Sequence, residues 1–129
     1  MAEPDPQPFA YAVLRVVPRV ERGERLNAGV AVYSRRFDFL DLRTAVDERR
    51  LAALAPDLDP KLVRARLDAL CLVVRGDPAG GALAALEPSE RFGWLVAPSS
   101  TIIQPSEVHT GMTSDPAATL DRLFAALVA

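Results

Sequence analysis

Phe9-Ala10-Tyr11-Ala12-Val13-Leu14-Arg15-Val16-Val17 is the stretch on which the fold turns. Side chains alternate across a strand, so Tyr11, Val13, Arg15 and Val17 share one face while Ala10, Ala12, Leu14 and Val16 share the other. Both faces are largely apolar, as expected of a strand at the centre of a sheet. Arg15 interrupts that pattern, and a guanidinium within a covered strand needs a partner.

Working outward, Pro18 to Glu24 breaks the run with a proline and a glycine, and a second apolar run follows from Leu26 to Ser34. Arg35-Arg36 interrupts again before Phe37 to Arg43, rich enough in Phe and Leu to be a third strand. Three consecutive strands with short connections predict an antiparallel meander. On the other side of Phe9, prolines at 4, 6 and 8 remove backbone donors, so residues 1–8 are expected to be an extended or disordered tail and residues 9–129 one domain.

Beyond the third strand the period changes. Asp47 is placed to cap a short helix through Leu54, and Asp59-Pro60 is a capping carboxylate followed by proline at the first helical position. Val63, Leu67, Leu70 and Val74 then form one stripe, and Gly76 supplies the stop. Ala79-Gly80-Gly81 reads as a turn, and Pro88 to Leu95 as a further short helix. Thr101-Ile102-Ile103-Gln104 is β-like, with Pro105 confining it to a sheet edge or strand end. Asp115-Pro116 repeats the helix-start device ahead of Leu120, Leu123, Phe124 and Leu127. The order predicts an α+β fold, a mainly antiparallel sheet made of the meander plus a late strand, with helices packed on one face. No Gly-rich turn joins a strand to a helix, which excludes Rossmann and P-loop readings.

Composition narrows the function. The chain has 129 residues, a net charge of −2 and hardly any lysine, so nucleic-acid binding through bulk charge is disfavoured. The N-terminus lacks the basic start and apolar core of a signal peptide, and no apolar run approaches a membrane span, so a cytoplasmic location without membrane contact is expected. The single Cys71, within Leu70-Cys71-Leu72-Val73-Val74, reads as an inert core thiol. One His and one Cys give no metal-ligand spacing, and neither metal nor cofactor is expected.

The densest run of neutral polar side chains is Ser99 to Gly111, which holds the only histidine. His109 can act as acid or base near neutral pH and is a weak catalytic candidate, but no nucleophile, orienting carboxylate and oxyanion donor stand in a recognisable spacing. Asn27 and Gly29 sit oddly inside an apolar strand. The bland reason is a bulge or a close backbone approach, the sharper one a polar pocket of Glu24 and Asn27 with Arg15. Glu21 or Glu24 is the nearest expected partner for Arg15 across the hairpin.

Three blocks carry a resemblance: Tyr11 to Pro18, Gly23-Glu24-Arg25-Leu26-Asn27-Ala28-Gly29-Val30, and Ser100-Thr101-Ile102-Ile103-Gln104-Pro105-Ser106 with Val108-His109-Thr110-Gly111. In order and spacing they resemble the family known as domain of unknown function 3037. That resemblance implies no established activity. It implies an accessory role beside a kinase-like protein of the HipA type encoded nearby, and it strengthens Arg15, Glu24, Asn27, Ser100, Thr101, Gln104 and His109 as binding positions. The expected function is therefore a non-catalytic binding or accessory module. The alternative is an enzyme or ligand pocket for a phosphorylated or nucleotide-like small molecule, with Arg15 on the anion and His109 as acid or base.

Overall fold

A computed structural model describes residues 4–99 and 101–129. The meander forms as expected: β1 (Gln7–Val16), β2 (Leu26–Ser34) and β3 (Phe39–Thr44) pair antiparallel in the order β3-β2-β1. The late strand is two short ones in line, β4 (Ile103–Pro105) and β5 (His109–Thr113), both antiparallel to the free side of β1. β1 is thus the central strand.

Ser106 explains why one late strand became two. It stands between β4 and β5, where its N–H donates to Val13 O at 2.8 Å and its Oγ accepts from Val13 N at 2.9 Å. A side-chain oxygen has taken the place of a backbone carbonyl, so the ladder is locally broken yet Val13 loses no bond.

The helices start where carboxylate caps put them. Asp47, Asp59 and Asp115 accept from backbone N–H groups of α1 (Glu48–Leu54), α2 (Pro60–Val74) and α4 (Pro116–Leu127), while α3 (Pro88–Leu95) opens on Pro88. Gly76, at φ +70°, ends α2: its N–H reaches Val73 O, and Asp77 N reaches Leu72 O, the paired bonds of a Schellman closure. Arg91 then donates to Val74 O and Leu86 O, occupying a further carbonyl at that helix end. Ala79-Gly80-Gly81, expected as a turn, lies within a 3-10 segment (Pro78–Ala85) capped by Asp77.

The α+β class with an antiparallel sheet stands, and the helices divide between the two faces of that sheet. Leu14, Val16, Ala31 and Leu42 meet Leu51 of α1, Val63, Leu67, Cys71 and Val74 of α2, and Phe92 and Leu95 of α3. Phe9, Val30 and Val32 meet Leu120 of α4 and Val128 on the opposite side. Two apolar sides on β1 and β2 require two covers, since each fully buried Leu or Val adds about 2 kcal/mol only when water is excluded from it. α4 lies mainly over β2 and β3 and reaches β1 and β5 at Phe9 and Thr113, while Tyr11 and Arg15 of β1 are only half-buried and His109 of β5 is exposed. No described helix is long and apolar enough to cross a membrane.

Candidate functional site

The part of this face beside α4 gathers most of the polar motif. Arg15 pairs in register with Asn27 on one side and Gln104 on the other, so the three form a row across β2, β1 and β4. His109 is opposite Tyr11, four residues along β1 from Arg15 and therefore on the same face. The rings of Tyr11 and His109 lie against each other at a centroid distance of 5.1 Å, tilted by 31°.

The oddity of Asn27 and Gly29 is a β-bulge. The register runs Leu14 to Gly29 and then Arg15 to Asn27, leaving Ala28 as the extra residue. Gly29 also makes the expected close approach, since a Cβ there would lie 3.2 Å from Arg43 O of β3. Asn27 has internal work: its Nδ2 donates to Leu127 O at 3.0 Å, fastening the last turn of α4 to β2. Gly111 has an equally local reason, because a Cβ there would sit 2.8 Å from the Phe9 ring.

Electrostatics single out Arg15. Its Nε is buried with no hydrogen-bond partner among the described residues. Burial lowers its pKa, the neighbouring positive charge of Arg25 lowers it further, and Glu107 opposes both. Glu107 also lies 3.8 Å from His109 Nε2. Arg25 and Glu107 are therefore members of this surface that the sequence reading did not place there, whereas Tyr11 was expected on the face of Arg15; the available signal for Glu107 was its position two residues before His109.

Other expected positions lie elsewhere. Glu24 pairs with Arg22 at the exposed tip of the β1–β2 hairpin rather than with Arg15. Thr101 donates to Ile103 O at 2.8 Å and Gln104 Nε2 to Thr101 O at 2.9 Å, so both stiffen the turn into β4. Ser100 lies outside the described residues. Cys71 is buried, its Sγ 3.9 Å from Thr44 Oγ1, and burial raises its pKa against the smaller opposing effects of Thr44 and Arg75.

Two cavities occur away from this face. One of about 560 Å³ lies between the hairpin tip and the α1–α2 connection, lined by Arg19, Arg22, Glu24 and Pro56 among others. The second, of about 450 Å³, lies between α2, α3 and β4, lined by Arg66, Leu70, Trp94 and Thr101 among others. Neither is lined by Arg15 or His109. Among the described residues, no group of three or more His, Cys, Asp or Glu side chains is placed to hold a metal ion.

The fold and this surface define a small α+β domain with a polar, aromatic-edged patch on an open sheet. The chain belongs to the family described as "Protein of unknown function (DUF3037)", which matches residues 11–128 and so nearly its whole length. No curated protein and no solved structure matches it.

Proposed function

We propose that the chain is a cytoplasmic, non-catalytic accessory module that binds a protein partner through the open sheet face bearing Arg15, Gln104, Glu107, His109 and Tyr11. The observation that carries this reading is the mixed polar and aromatic surface left beside α4, with neither of the two cavities at its centre. Such a patch suits a protein surface: Tyr and Arg are favoured contact residues, and alternating charges set partner and register. The partner implied by the family resemblance is a kinase-like protein of the HipA type. Co-purification and sizing of the two proteins test it, and a chain that stays monomeric beside that protein counts against it.

A second reading rests on Arg15 and Arg25, two guanidinium groups close enough for one to lower the other's pKa. An anion would relieve that repulsion, so a phosphorylated or nucleotide-like small molecule is the alternative ligand. Arg15 and His109 share a face as this reading requires, whereas Glu24 does not join them. Calorimetric titration with inorganic phosphate and with a nucleotide separates the readings. Heat that disappears in Arg15→Ala favours the small anion, and no heat favours the protein partner.

A further inference from the structure

The two edges of the sheet are treated differently. On β3 the outward groups of Leu42 are both occupied: its N–H donates to Asp41 Oδ1 at 2.8 Å, and its carbonyl accepts from Arg75 Nη2 at 3.1 Å. Among the described residues, β5 has no such cover. The bonds from Ser106 N to Val13 O and from Val17 N to Ile102 O show that odd-numbered residues of β1 turn their backbone groups toward the β4–β5 side. Tyr11 and Phe9 therefore bond His109 and Gly111, their register partners, and the alternation of an antiparallel ladder points the backbone of Val108, Thr110 and Met112 outward.

The same segment carries exposed apolar side chains, Val108 at 42% and Met112 at 61% accessibility. α4 reaches β5 at Thr113, whose Oγ1 lies 2.7 Å from Thr119 Oγ1, and leaves Val108 and Met112 exposed. An open edge with apolar side chains is a template for another strand.

We propose that this edge pairs antiparallel with β5 of a second copy of the chain, about a two-fold axis at Thr110. The sequence around Thr110 is self-complementary in that register. Val108 falls opposite Met112 of the second copy and Met112 opposite its Val108, so each exposed apolar side chain covers another. Thr110 meets Thr110, His109 meets Gly111, and Glu107 meets Thr113, so no like charges lie directly opposite. Thr110 has outward backbone groups, so the central pair of this register exchanges both of its bonds. A centre on His109 or Gly111 would also let outward groups bond, but it would set Val108 and Met112 opposite Thr110, Ser106 or Ser114 rather than each other. The contact is isologous and closes, giving a dimer rather than a fibre. Two five-residue strands bury less than the roughly 1,200 Å² typical of stable interfaces, so the dimer is weak and forms as concentration rises.

The test is sedimentation equilibrium of the full chain over a wide concentration range, beside Thr110→Pro and Met112→Lys. The Thr110 N–H points away from β1, so proline there removes no bond of the sheet and blocks only the added strand. Lysine at 112 charges the edge without touching the backbone, and circular dichroism checks that both variants fold. The expected result is a concentration-dependent dimer for the native sequence and at least a tenfold weaker association in each folded variant. A native chain that is monomeric up to about 1 mM overturns the proposal and assigns the edge to a strand of a different protein. A dimer that both variants retain also overturns it.

Discussion

Ser106→Ala isolates the bond that lets β4 and β5 share one side of β1. The serine is 5% exposed, and its Oγ both accepts from Val13 N and donates to Glu107 O at 2.8 Å. Alanine removes one oxygen and otherwise preserves shape. Val13 is itself 5% exposed, so water cannot replace the lost acceptor. Leaving a buried donor unpaired costs about 1–3 kcal/mol, and losing the second bond adds about 0.5–1 kcal/mol. The expected destabilisation is about 2–3 kcal/mol, or roughly 6–12 °C in Tm for a domain of this size. Ser34→Ala is the comparison. Ser34 is as well buried, yet its Oγ donates to the carbonyl of exposed Pro8 at 3.1 Å, and water can take its place. That variant is expected to lose about 1 kcal/mol or less. Urea unfolding followed by circular dichroism measures both. A Ser106→Ala loss under about 0.5 kcal/mol, or a larger loss for Ser34→Ala, would refute the view that Val13 depends on this hydroxyl.

Two further outcomes follow from buried contacts. The pKa of Cys71 is raised above its ordinary value of 9.0 in the folded chain, so the fold binds more protons than the unfolded chain at alkaline pH. This contribution to stability is complete below pH 9.0 and is lost as pH rises through the folded value. The native chain should therefore lose more stability than Cys71→Ala between neutral and strongly alkaline pH, and parallel profiles in the two proteins would contradict this. Asn27→Ala removes the bond to Leu127 O and should cost about 1 kcal/mol, with faster amide exchange confined to the last turn of α4. Unchanged exchange there would show that Asn27 does not hold the helix end.

Local chemistry made much of this fold legible. Alternation in Phe9 to Val17 identified the central strand, and the Asp-Pro pairs at 59–60 and 115–116 marked the starts of α2 and α4. Both faces of β1 read as apolar, but the expected arrangement set the helices on one face, because which helix goes where depends on non-local packing that periodicity does not encode. The division of the late strand was hidden because Ser106 reads as an ordinary turn residue until its hydroxyl is seen replacing a carbonyl. The candidate surface was half visible. Arg15 and His109 stood out as polar groups in apolar strands, and the register brings them to one face. Asn27 looked like a ligand residue because amides are poor strand fillers, and its partner, Leu127 O, lies too far along the chain for sequence to show. Glu24 was drawn toward Arg15 by nearness in the hairpin, yet Arg22 is nearer at the tip.

The most direct test of the proposed docking surface and partner is the dissociation constant of the native chain for a HipA-type kinase-like protein, set beside Arg15→Ala, His109→Ala and Glu24→Ala. Arg15 and His109 lie on the open sheet face and Glu24 at the hairpin tip, so the first two substitutions should each weaken binding by about tenfold or more and the third should leave it unchanged. Equal binding by all four proteins, or none by the native chain, would contradict the assignment of that face.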